Sequence, residues 1–109
     1  VRRLAGGARW AAPRLRELLL AATSDWGVQQ RCAEALAALG AWDPTIEETL
    51  LSIAVGDRPL EARVRAIREL GRAPRLTRRS LKELRWLAVG DPEEEERAPA
   101  QAAWSAKAR

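Results

Sequence analysis

Residues 28–40 read Val28-Gln29-Gln30-Arg31-Cys32-Ala33-Glu34-Ala35-Leu36-Ala37-Ala38-Leu39-Gly40. Val28, Cys32, Ala35, Leu36 and Leu39 recur at three- and four-residue steps, so a helix carries them as one apolar stripe. Gly40 stands where such a helix closes in the left-handed conformation that glycine adopts cheaply. Asp25, just upstream, is placed to cap the first turn with its carboxylate.

Working outward, the surroundings of this segment repeat. Leu18, Ala22 and Asp25 return as Leu50, Ala54 and Asp57, and again as Leu84, Ala88 and Asp91, at intervals of 32 and 34 residues. Arg31, Arg63 and Arg97 each follow their aspartate by six residues. The ending Ala35-Leu36-Ala37-Ala38-Leu39-Gly40 has a counterpart in Ala66-Ile67-Arg68-Glu69-Leu70-Gly71, which predicts a second left-handed stop at Gly71. A period in this range signals a repeat architecture in which each unit covers its neighbour's apolar face. The pattern predicts helices over 13–23, 26–39, 44–55, 59–71, 75–89 and 92–107, with Pro99 kinking or shortening the last. Asp43-Pro44 and Asp91-Pro92 each put a capping carboxylate before a proline at the first helical position, and Glu94 extends the second into a variant capping box. The predicted buried faces are Leu15, Leu18, Leu19 and Ala22; Ile46, Leu50, Ile53 and Ala54; Leu60, Val64, Ile67 and Leu70; and Leu81, Leu84, Leu87 and Ala88.

Composition agrees. Alanine, arginine and leucine dominate the 109 residues, tyrosine and phenylalanine are absent, and β-branched residues are sparse. Ala, Leu, Arg and Glu are strong helix formers. Alanine-rich helices approach closely and make a thin core, which suits layered helices better than a deep globular centre. The expected fold is therefore all-α, an α-solenoid of about three stacked antiparallel helix pairs in a single domain. Residues 1–12 would end a truncated repeat, 13–40 form the first, 41–72 the second, and 73–109 a degenerate third.

The segment 28–40 resembles the second helix of a HEAT repeat, of the HEAT-like or PBS-lyase type, and the likeness extends over most of the chain. Gln29 departs from the arginine that usually follows the helix valine in that family. The resemblance implies a right-handed superhelix with second helices lining its concave side, and it implies no chemistry. Arrays of this kind act as scaffolds for other proteins, so a non-catalytic protein-binding role is expected, with another protein or further repeats of a parent chain as the partner. Truncated ends would also allow self-association.

Charge is uneven. Residues 1–55 balance to zero, whereas residues 58–86 hold ten basic and three acidic side chains, an excess of +7. Arg65, Arg68 and Arg72 share one helical face; Arg75, Arg78, Lys82 and Arg85 follow the same spacing on the next helix, with Arg79 and Trp86 close by. Such a stripe can neutralise phosphates while Trp86 stacks on a base, so nucleic-acid backbone binding is the alternative function. The same density also makes an ordinary solvated face, which is the reading preferred on residue types alone. Trp42 sits in a link between repeats, as Trp10 does, and either plugs the end of a helix pair or anchors a partner.

The recurring pairs Asp25/Arg31, Asp57/Arg63 and Asp91/Arg97 read as a structural ladder rather than acid–base machinery. With no histidine and one cysteine, no catalytic residues, metal ligands or cofactor are expected. Cys32 reads as a small core residue. Glu93-Glu94-Glu95-Glu96 cannot converge on one ion, because consecutive helical residues point in different directions. The chain starts with Val1 and has no apolar run long enough to span a bilayer, so a cytoplasmic fragment of a larger protein is expected.

Overall fold

The computed structural model describes residues 12–21 and 25–107. These form six helices: α1 (Ala12–Ala21), α2 (Trp26–Ala38), α3 (Pro44–Val55), α4 (Leu60–Arg72), α5 (Arg78–Gly90) and α6 (Glu94–Lys107). No strand occurs among the described residues. Expectations placed on residues 1–11 and on Ala22, including the truncated leading repeat and Trp10, lie outside them. The chain divides within α3 into two compact units, residues 1–49 and 50–109.

In the first unit α1 packs on α2. Asp25 caps α2, its Oδ1 accepting the Val28 N–H at 3.1 Å. The other end closes as the sequence requires: Gly40 has φ +75°, the Gly40 N–H donates to the Ala37 carbonyl at 3.0 Å, and the Ala41 N–H donates to the Leu36 carbonyl at 3.0 Å. This paired pattern occupies carbonyls that the helix end would leave empty. Asp43 caps α3 through the Ile46 N–H at 2.9 Å, with Pro44 at the first helical position. Leu36, Ala33 and Cys32 are buried on α2, the last at 6% exposure. Leu18 does not join Leu19 inside: it is 47% exposed. Its recurrence in sequence with Leu50 and Leu84, both fully buried, is therefore not matched by burial.

In the second unit α6 packs on both α4 and α5. Ala62, Ala66, Ile67 and Leu70 are buried on α4, Leu84 and Leu87 on α5, and Ala100 and Ala103 on α6. Each large aliphatic side chain so removed from water contributes about 1.5–3 kcal/mol. Gly71 corrects the second predicted helix stop. It is helical, and a Cβ there would lie 3.0 Å from the Ala103 Cβ and 3.2 Å from its Cα. The glycine thus serves the close approach of α4 to α6, and the helix runs on to Arg72. Pro99 neither ends nor shortens α6, which reaches Lys107. Arg75 falls outside α5, because Thr77 caps that helix through the Ser80 N–H at 3.3 Å.

Candidate functional site

The aspartate–arginine ladder is not made of carboxylate–guanidinium pairs. Asp25 spends its carboxylate on the α2 cap, and Arg31 is exposed, with no polar contact to a described residue. Asp57 is exposed and does not cap α4, whose N-cap position is Pro59 and which has no side-chain cap. Arg63 instead donates from Nε to the Arg58 carbonyl at 2.8 Å, and Arg97 donates from Nη1 to the Asp91 carbonyl at 2.8 Å. Asp91 itself accepts the Glu93 N–H at 2.8 Å in a turn before α6, so it is not the helix cap, and Glu94 closes no capping box. Arg63 and Arg97 tie turns together through backbone carbonyls, and Arg31 does not.

The second hand of Arg63 meets Glu96. Nη1 of Arg63 is paired with Oε1 of Glu96, whose side chain is fully buried, while Arg63 is 24% exposed. The other oxygen, Oε2, meets no donor among the described residues. Burial pushes the Glu96 carboxyl up to about 7, helped by a hydrogen bond to the Asp91 carboxyl and by the negative charges of Asp91 and Glu93; Arg63 opposes the rise. A buried carboxyl with negative neighbours resists ionisation, because burial and like charge both disfavour its charged form. Sequence reasoning treated the four glutamates alike. The signal was nonetheless present: Glu96, Ala100 and Ala103 fall at i, i+4 and i+7, the buried face of α6. A comparable clasp in the first unit was also missed: Arg16 pairs with Asp43 and donates from Nη2 to the Ala41 carbonyl at 3.1 Å.

The basic candidates are on the surface. Arg65, Arg68, Arg72, Arg78, Lys82 and Arg85 are all exposed. Trp86 is 61% exposed and Val89 76%, so the outer face of α5 shows apolar surface at the end of its cationic row. The Trp86 ring lies over Gly90, 3.7 Å from where a Cβ would stand. Arg85 is engaged within the unit: its guanidinium carbon sits 5.5 Å from the Trp104 ring centroid, a cation–π contact. Trp42 is half-buried in the link before α3, away from the basic row in sequence.

Between α4 and α6 the second unit has an open groove of about 380 Å³. Gly71, Ala98, Pro99, Ala102 and Ala103 make its small-residue floor, and Arg68 and Arg72 stand at its rim. Arg72 is loosely held by Glu69, at 3.4 Å. Among the described residues no group of His, Cys, Asp or Glu could hold a metal ion, and no helix is long and apolar enough to cross a membrane. No protein-family model matches the chain, and no curated protein or solved structure matches it.

Proposed function

We propose that this chain is a HEAT-like helical-repeat scaffold whose second unit binds another protein across the exposed faces of α4 and α5. The observation that carries the reading is the α5 surface. Lys82, Trp86 and Val89 lie at i, i+4 and i+7 and are all exposed, while Leu84 and Leu87 of the same helix are buried. A large ring and a branched aliphatic side chain left in water beside cations have the composition of an interface hot spot. Helical repeats supply such surfaces without a reactive centre. Of the expected partner-binding residues, Arg65, Arg68, Arg72, Arg78, Lys82 and Trp86 form this surface, and Trp42, half-buried in the link before α3, is a separate candidate anchor. Arg85, held on Trp104, acts as a support for α5 against α6.

A photo-crosslinking amino acid placed at position 86 tests this in cells. One protein species should be captured, and Lys82→Glu should reduce its yield severalfold. Capture of nothing above background overturns the reading. The exposed basic side chains from Arg65 to Arg85 favour a second reading, nucleic-acid backbone binding. It requires a low-salt gel shift that Arg68→Glu with Lys82→Glu abolishes, and retention that falls steeply with added salt.

A further inference from the structure

We infer that the groove between α4 and α6 is a peptide subsite, and that it takes an acidic segment of the protein partner with one aliphatic side chain seated on the small-residue floor. The inference rests on the scaffold reading and names what the partner must present there.

Two features of the groove act together. Its floor is glycine, alanine and proline, so an incoming side chain meets a mainly apolar surface bordered by the two arginines. Its volume of about 380 Å³ lies within the range of sites that enclose small ligands. Its rim carries two guanidiniums, Arg68 and Arg72, of which Arg72 is held only by Glu69 and only at 3.4 Å. Arg68 makes no hydrogen bond or ion pair with a described residue, which leaves its planar fork for a carboxylate. The exposed arginines of α4, Arg65, Arg68 and Arg72, favour approach of an acidic chain over a basic one at this end of the groove.

A nucleic acid is the poorer fit. Single strands are held by aromatic platforms on which bases stack, and none of the groove-lining residues is aromatic. A phosphate backbone would satisfy the arginines and leave the floor wet. An acidic peptide with an aliphatic anchor uses both.

The test is fluorescence polarisation with a labelled peptide, Gly-Glu-Asp-Leu-Glu-Asp-Gly, titrated with the whole chain. Saturable binding is expected. It should weaken about tenfold when glycine replaces the leucine, and about tenfold again with Arg68→Glu in the protein. Ala102→Trp, which fills the groove from an exposed position, should also weaken binding about tenfold, with helix content by circular dichroism unchanged. Arg14→Glu makes the same charge reversal on α1 and should leave the affinity within about twofold. The inference is overturned by absence of binding, by binding that survives Ala102→Trp, or by a labelled oligonucleotide that binds and displaces the peptide. If the peptide fails while the crosslink at position 86 still captures a protein, the groove is not the subsite and the scaffold reading stands. If both fail, both fall.

Discussion

The clasp of Arg16 on Asp43 in the first unit and that of Arg63 on Glu96 in the second differ in what surrounds them. Arg16 and Asp43 are partly in water, at 42% and 21% side-chain exposure, and Asp43 also caps α3. Arg63 and Glu96 hold a carboxylate with no exposure at all, beside a second acid, Asp91. Both arginines also reach a backbone carbonyl, so their local hydrogen bonding is alike. The contrast shows that depth, rather than the identity of the pair, sets how much a clasp matters. An exposed pair is screened and nearly dispensable, whereas a buried one becomes costly when half of it is removed.

The largest test of that contrast is Arg63→Met, which strands the Glu96 carboxylate. Urea unfolding at pH 8 should show a loss of about 4 kcal/mol. Adding Glu96→Leu should recover most of it, because the charge that needed a partner is gone. A single variant that loses less than the exposed pair does would end the argument.

Next comes acidity. The Glu96 carboxyl is raised from 4.5 to about 7 in the folded chain, so between these values the folded state holds a proton that the unfolded state releases. Its contribution is fully present below pH 4.5 and is lost as pH rises through 7, a decline of about 3 kcal/mol from this group. Denaturation midpoints measured from pH 4.5 to 8 should follow this slope in the native sequence and flatten in Glu96→Gln. A rise in stability over that window would contradict the raised Glu96 carboxyl.

The first-unit clasp should respond weakly. Asp43→Ala removes a helix cap together with an exposed ion pair and should cost about 1 kcal/mol. Arg16→Met removes only the pair and one hydrogen bond, about 0.5 kcal/mol, and most of that should vanish in high salt. Smallest of all is Asp57→Ala, which should leave the thermal midpoint unchanged, because this aspartate caps nothing.

These differences also show what could be read from the residues and what could not. Asp43-Pro44 and the close at Gly40 were legible because a cap or a stop is written within four or five neighbouring positions. The burial of Ile46, Leu50, Ile53 and Ala54 was legible for a related reason: α3 carries its apolar residues at helical spacing. Leu18 misled because period alone does not say which turn of a helix is covered. Gly71 misled because its Leu-Gly ending matched Leu39-Gly40, and only the nearness of Ala103, brought in from another helix, shows its role. The Arg63–Glu96 pair joins residues 33 positions apart, a separation on which local spacing is silent. At the candidate site, the exposed cations and Trp86 were readable from charge and helical phase. The groove beneath Arg68 was not, since it exists only where two helices meet.

The single thiol of the chain gives one further handle. Cys32 lies at 6% exposure within the first unit, so an alkylating reagent supplied under native conditions can modify it only during excursions that uncover α2. The rate of alkylation at low reagent concentration therefore reports how often the first unit opens, whatever is happening in the second. Comparing that rate with the unfolding followed by Trp86 and Trp104 fluorescence, in a chain whose Trp10, Trp26 and Trp42 are replaced by phenylalanine, would tell whether the two halves come apart together or one after the other.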